Sequence, residues 1–210
     1  MRTEDRNITG FDGVESSGSF DVYVSSGSSE SVKIEADENL LSLIETYKEG
    51  NTLHIKTKQG FWLQSSNGVK VHVTAPNYTK IHSYGSGNII SQNKITGSGP
   101  LDLGVTGSAD IKVDVEAPEI SADITGSGNL FIKGETKKFK SDVNGSGSVK
   151  AFDLKSEDTK VDISGSGDAE LYASVKLDVS VSGSGDVRYK GNATQVSQHV
   201  SGSGSVRKVE

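Results

Sequence analysis

Apolar and polar residues alternate in short runs along nearly the whole chain, with the two-residue period of half-buried β-strands. Val22 and Val24, Val32 and Ile34, Leu53 and Ile55, and Val69, Val71 and Val73 mark the early runs. From residue 85 the runs fall into columns set by a recurring glycine-serine corner. Its first glycines are Gly85, Gly97, Gly107, Gly126, Gly145, Gly165, Gly183 and Gly202, and from Gly107 onward they stand 19, 19, 20, 18 and 19 residues apart. Two positions before those from Gly97 onward come Ile95, Val105, Ile124, Val143, Ile163, Val181 and Val200, all β-branched, as a pleated, buried site favours. Four positions after come Ile89, Leu101, Ile111, Leu130, Val149, Ala169, Val187 and Val206. A column six positions before holds Leu101, Ile120, Phe139, Leu177 and Val196, with Thr159 as its polar member.

A unit of this length cannot bury its own apolar face, but stacking each unit on the next does, and equivalent residues then form ladders. A propeller needs repeats of about 40 residues. A sandwich of hairpins does not explain one residue class returning at one phase over so long a stretch. The pattern therefore predicts an all-β parallel β-helix (β-solenoid) with coils of about 19 residues in the C-terminal half. Glycine suits the corners because a coil must turn sharply there and because successive corners lie over one another. Ala109 in the third corner position points to close packing there, more than to a required positive φ. The corner serines are placed to bond neighbouring backbone. Gly97 falls near the midpoint between Gly85 and Gly107 and reads as a mid-coil turn.

Residues 1–10 are expected to be disordered or extended, and residues 11–210 to form one domain with a non-repeating excursion at 35–68. Within it, Leu40, Leu41, Leu43 and Ile44 suit a short helix covering an open end of the core, capped by Asp37 or Asn39, or else an irregular loop. Phe61, Trp62 and Leu63 form an aromatic-apolar loop that serves either as a cap over the core or as a recognition patch.

Composition narrows the classes. The 25 glycines against 3 prolines sit at repeat boundaries, which marks turns and not a linker. A net charge of -6, with Lys and Arg scattered among the acids, gives no nucleic-acid footprint. Cysteine is absent, so there is neither a disulfide framework nor a thiol nucleophile. No stretch is long and apolar enough to cross a bilayer. The polar opening Arg2-Thr3-Glu4-Asp5-Arg6 is no signal peptide, so either the native protein is not exported or a removed targeting segment precedes this chain.

Candidate chemistry is sparse. Asp110, Asp168 and Asp186, with Asn88 and Asn129 in equivalent places, follow the corners. Calcium would need a dense oxygen set there, but Pro100, Ser148 and Ser205 interrupt the column, and turn capping is the expected role. Asp123, Asp142, Asp162 and Asp178 lie on the outward phase and could pair as in a glycan-cleaving enzyme. Lys140, Lys160 and Lys176 nearby make them solvated ion-pair partners instead. His54, His72, His82 and His199 lack metal-ligand spacing. The corner serines lack the strand-turn-helix setting of a nucleophile elbow. No catalytic, cofactor or metal residues are predicted.

Phe11-Asp12-Gly13-Val14, Gly18-Ser19-Phe20-Asp21-Val22, the excursion Ala36 to Ile55 and the corners Gly126 to Asn129, Gly165 to Asp168 and Gly183 to Asp186 carry a resemblance over nearly the whole chain. The chain resembles the bacterial putative auto-transporter adhesin, head GIN domain family, common in Bacteroidetes. The resemblance implies a single-stranded right-handed β-helix, no catalytic residues, and an extracytoplasmic protein, periplasmic or at the cell surface, lipid-anchored in its native full-length form. The leading expectation is a non-enzymatic, adhesin-like binding or scaffold domain of the cell envelope with a glycan or cell-surface protein as partner. The alternatives are a polysaccharide-acting β-helix enzyme using surface carboxylates and a structural domain that self-associates through its solenoid ends.

Overall fold

The computed structural model describes residues 1–61 and 68–210. In chain order its strands are β1 (Arg2–Arg6), β2 (Gly13–Ser17), β3 (Asp21–Ser26), β4 (Ser31–Ala36), β5 (Ile44–Glu49), β6 (Thr52–Thr57), β7 (Lys70–Ala75), β8 (Lys80–Gly85), β9 (Ile89–Ser91) and β10 (Ile95–Thr96). They continue as β11 (Leu101–Gly107), β12 (Asp110–Glu116), β13 (Glu119–Gly126), β14 (Asn129–Gly145), β15 (Ser148–Lys150), β16 (Leu154–Gly165), β17 (Ala169–Tyr172), β18 (Lys176–Gly183), β19 (Asp186–Lys190), β20 (Gln195–Gly202) and β21 (Ser205–Lys208).

The fold is all-β and forms a right-handed solenoid with coils of about 19 residues in its C-terminal region. Each regular coil sends one strand into each of two parallel ladders, before and after the Gly-Ser-Gly corner. The first ladder stacks β6, β2, β8, β11, β13, the end of β14, β16, β18 and β20. The second stacks β7, β3, β9, β12, the start of β14, β15, β17, β19 and β21. The strand β14 runs on through its mid-coil bend, pairing Gly134, Glu135 and Thr136 with Leu154, Lys155 and Ser156 of β16.

The interior is built from the predicted columns. Val105, Ile124, Val143, Ile163 and Val181 are aligned and buried. Toward the N-terminal end the column continues through Ser83, Ser16 and Ile55, and the Ser83 hydroxyl donates to the Gly87 carbonyl at 3.0 Å. Ile95 lies elsewhere, beside Val115 in the second ladder, and Leu101 lies beside Ile120. Thr159, the polar member of its column, is buried because its hydroxyl meets Ser156 Oγ and the Tyr172 carbonyl, each at 2.7 Å. Tyr78 is enclosed likewise, and its hydroxyl donates to the carbonyls of Ser25 and Val73 at 2.9 and 3.1 Å. Burial holds that phenol well above its ordinary pKa.

The corner stack runs from Gly18 through Gly85, Gly107, Gly126, Gly145, Gly165 and Gly183 to Gly202, each glycine packed on the carbonyl of the one before. Gly97 lies outside this stack, at a mid-coil turn where its N–H donates to the Glu116 carbonyl at 2.9 Å. The stack is bonded through the serine backbone: the N–H groups of Ser127, Ser146 and Ser166 donate to the carbonyls of Gly107, Gly126 and Gly145 at 2.8–2.9 Å.

The N-terminal end departs from simple winding. The chain enters at β2 and β3, and β6 and β7 then insert on their outer side. Residues 52–57, where Leu53 and Ile55 predict a strand, are therefore a ladder strand within the excursion. Antiparallel strands close this end: β4 pairs with β7, β1 with β4, and β5 with β6. They cover edges that would otherwise be open to association. The expected helix is a single 3-10 turn, Leu41–Leu43, entered at Leu40 with no side-chain cap, so the Asp37 or Asn39 cap is not formed. Leu40, Leu41 and Ile44 bury their side chains over the core end.

Candidate functional site

The residues after each corner form a bonded ladder. Asn88 Oδ1 accepts from the Asp110 N–H at 3.0 Å, and Asn129 Nδ2 donates to Asp110 Oδ1 at 2.9 Å. Asn129 Oδ1 in turn accepts from the Ser148 N–H at 3.1 Å. Asp168 accepts from the Asp186 N–H at 2.9 Å, and Asp186 from the Ser205 N–H and hydroxyl at 2.9 and 2.7 Å. The Ser205 hydroxyl is the main cause that holds the Asp186 carboxyl below its usual range. Side-chain oxygens thus serve N–H groups that a corner leaves without a ladder partner. Among the described residues no group of three or more His, Asp or Glu is arranged to hold a metal ion. Asn129→Ala removes two of these bonds and is expected to lower stability by about 1–2 kcal/mol. An unchanged urea midpoint would contradict the structural role.

The outer face of the first ladder carries the predicted acids. Asp123, Asp142 and Asp162 stand in one register, but Asp178 falls beside Lys160 in the neighbouring row. Lys140 and Lys160 reach Asp142 and Asp162 at 2.6 and 3.5 Å. Burial, then Asp142 and Asp102, push the Asp123 carboxyl above its ordinary value. Of these four aspartates only Asp178 lines one of the larger clefts among the described residues, a hollow of about 210 Å³ shared with Lys140, Lys160 and Lys176; Asp123, Asp142 and Asp162 line none of them and stand on the open sheet face.

Toward the N-terminal end of this face, Glu15 lies between His54 and His82 in the ladder. Glu15 takes Lys80 at 2.5 Å and His54 at 3.2 Å. His82 places Nε2 3.0 Å from the Asp102 carboxylate and Nδ1 3.2 Å from the Tyr84 hydroxyl. The His82 contact is the first cause holding the Asp102 carboxyl below its usual range. Gly104 makes room for the ring, since a Cβ there would lie 2.9 Å from it. His72 is on the other ladder, stacked on Tyr23 with ring centroids 5.1 Å apart, and does not meet His82. The group ties the N-terminal coils together by charge.

The outer face of the second ladder differs in kind. Lys112, Phe131 and Lys150 occupy one register row on successive coils. The two ammonium groups lie 5.1 and 5.3 Å from the Phe131 ring centroid. Lys190 lies 5.2 Å from the Phe152 ring centroid and Lys155 4.1 Å from that of Tyr172. Such cation–π contacts hold lysine heads that would otherwise sample solvent. Ile90, Lys112, Phe131, Lys133, Lys150 and Phe152 line a cleft of about 490 Å³ on this face. A larger hollow of about 750 Å³, along the mid-coil bends, is lined by Glu116, Glu135, Glu157 and Lys155 with Tyr172. The first is the stronger candidate, because aromatic, aliphatic and cationic groups converge there.

This row was not singled out from sequence, although the signal was present. Counting five residues from the first glycine of each of these corners except Gly97 gives Ile90, Lys112, Phe131, Lys150, Glu170, Arg188 and Arg207. Of the loop trio, Phe61 is exposed, with Lys58 Nζ 5.9 Å from its ring centroid. Trp62 and Leu63 lie outside the described residues.

Comparison with known proteins agrees with this architecture. A search of curated proteins finds no match. Among solved structures, a putative adhesin from Bacteroides fragilis superposes with a TM-score of 0.94 at 21% identity, covering 99% of this chain and 96% of its own. A putative adhesin from Parabacteroides merdae gives 0.79 at 23%, with 100% and 96% covered. A putative lipid binding protein from Parabacteroides distasonis gives 0.75 at 26%, also with 100% and 96% covered. The family described as putative auto-transporter adhesin, head GIN domain matches residues 10–193. Spanning most of the repeat array and its N-terminal closure, that match shows that the chain belongs to the putative auto-transporter adhesin, head GIN domain family.

Proposed function

We propose that this protein is a non-enzymatic, adhesin-like binding or scaffold domain of the bacterial cell envelope, located outside the cytoplasm. The observation that carries this reading is the contrast between its two long faces. One is an open sheet of paired charges, and the other presents a cleft where Phe131 and Phe152 stand among lysines. A binding module needs such a surface on a stable frame; a hydrolase needs paired acids in a cleft, and Asp123, Asp142 and Asp162 line neither of the two largest. One relative is named a putative lipid binding protein, which puts lipid beside glycan and cell-surface protein among the ligand classes to be tested.

The test is binding of the purified protein to a glycan array and to isolated outer-membrane fractions, with Phe152→Ala as the comparison. Saturable binding weakened by the substitution is the expected outcome. Absence of any specific ligand on both would remove the binding half of the proposal. Surface proteolysis of intact cells checks the compartment, with cleavage expected at the cell surface or after the outer membrane is opened.

A second reading, self-association, draws on the last coil. Val196 and Val200 of β20 are 42% and 38% exposed at positions that are buried in the coil before. Stable end-to-end assembly would appear as a mass rising with concentration in light scattering; a constant monomer mass would rule it out.

A further inference from the structure

We propose that the cleft on the second-ladder face binds a linear, carboxylate-bearing glycan lying along the solenoid axis, with its acidic groups on Lys112 and Lys150 and a sugar ring against Phe152. The inference rests on the reading of this protein as a binding domain and assigns that domain a ligand class and a binding direction.

The first support is spacing. Lys112 and Lys150 are two coils apart in one register row, which places their strand positions roughly 10 Å from each other. One sugar of an extended β-linked chain advances about as far as one coil. A glycan with an acid on every sugar, or on alternate sugars, therefore meets both lysines without bending. The second support is preorganisation. Phe131 stands between the two lysines and holds both ammonium groups by its ring, so less side-chain freedom is lost when an anion arrives.

Charge is the third support. In a chain of net charge -6 this cleft gathers Lys94, Lys112, Lys133 and Lys150. Its acids are Asp114, Asp153 and Glu170, of which Asp114 is held by Lys133 at 3.4 Å and Glu170 by Arg188 at 3.1 Å. Lys112 is only loosely engaged by Asp110 at 3.9 Å, and among the described residues Lys150 has no carboxylate within ion-pair distance. Two cations are thus available to a ligand. Phe152 lines the cleft, whereas its lysine partner Lys190 does not, which leaves ring surface for the C–H face of a sugar. A lipid surface is a poorer fit, since the rings are dressed by ammonium groups and form a groove instead of projecting for insertion.

The experiment is titration calorimetry of the intact protein with a β-1,4-linked glucuronate hexamer, with cellohexaose as its neutral isostere, and with phosphatidylglycerol vesicles. The glucuronate chain is expected to bind about tenfold or more tightly than cellohexaose, and less tightly as salt rises. Lys112→Gln and Lys150→Gln, which keep side-chain length, should each weaken the acidic chain by about tenfold and leave cellohexaose unchanged. Phe152→Leu should weaken both glycans. Lys140→Gln and Lys160→Gln, on the opposite face, should change nothing. Equal affinity for both glycans overturns the carboxylate assignment while leaving a binding domain intact. Binding to vesicles alone overturns the polymer in favour of lipid. If array or membrane-fraction ligands bind without sensitivity to Lys112, Lys150 or Phe152, this site is overturned and the broader function stands. If nothing binds in any of these assays, both readings fall.

Discussion

Gly145→Ala is expected to destabilise the protein by about 3 kcal/mol or more, a fall in Tm of roughly 6–12 °C for a chain of this size. Two separate costs combine. Gly145 has φ +130°, a conformation that L side chains rarely adopt, worth about 1–3 kcal/mol in strain. A Cβ there would also lie 2.3 Å from the Gly126 carbonyl oxygen and 3.1 Å from its carbon. That oxygen is no free neighbour: it accepts the N–H groups of Ser146 and Gly147 at 2.9 and 3.1 Å. Relieving the clash separates two coils at the point where the corner is bonded. Gly99→Ala is the control, because its Cβ would meet nothing within 4 Å and its φ is not positive. Thermal unfolding of the two variants side by side tests the idea, and equal changes would sink the account of the corner stack.

Ile163→Asp is expected to be the most damaging single change, with a loss of more than about 4 kcal/mol or failure to fold. Ile163 is 2% exposed and lies in register between Val143 and Val181, so a carboxylate there would have apolar neighbours above and below. Burying an ion without a partner costs several kcal/mol, to which the lost apolar burial adds about 1.5–3 kcal/mol. Lys160→Asp, three residues away on the outer face, should cost only about 1 kcal/mol, chiefly through its pairing with Asp162. Because each coil touches only its neighbours, the injury should spread along the stack. Hydrogen exchange should show lost protection first in β14, β16 and β18, with the antiparallel N-terminal end protected longest. Uniform loss of protection would contradict a coil-by-coil array.

The corner glycines and the aligned columns explain why so much of the fold was legible. An inward position demands an apolar side chain and an outward one tolerates a polar one, so the phase of each strand is written residue by residue. Where a column broke, the sequence was ambiguous for a physical reason. Ile95 stands two residues before a Gly-Ser-Gly like its neighbours, yet it pairs with Val115, because Gly97 turns the middle of a coil. Thr159 looked like a flaw in an apolar column, and its acceptability depends on Ser156 and the Tyr172 carbonyl reaching it from elsewhere.

The candidate site was less legible. Asp123, Asp142, Asp162 and Asp178 share the outward phase, and only distance from the corner separates Asp178 into the lysine row. The aromatic-lysine face is a product of stacking: Phe131 is 19 residues from Lys112 and from Lys150, and they meet because coils superpose.

Composition, alternation and the corner period determined that this chain is a β-solenoid, which residues point inward, and where the coils turn. Those properties depend on local phase and on the space available at a repeated position, so they are carried by each residue's own chemistry. Tertiary structure alone decided that β6 and β7 insert outside β2 and β3, that antiparallel strands close the N-terminal end, and that lysines from adjacent coils flank one phenylalanine. Each of these is a choice of partner between segments far apart in the chain. Many partners satisfy the same two-residue alternation, and only the packing of the whole stack selects among them.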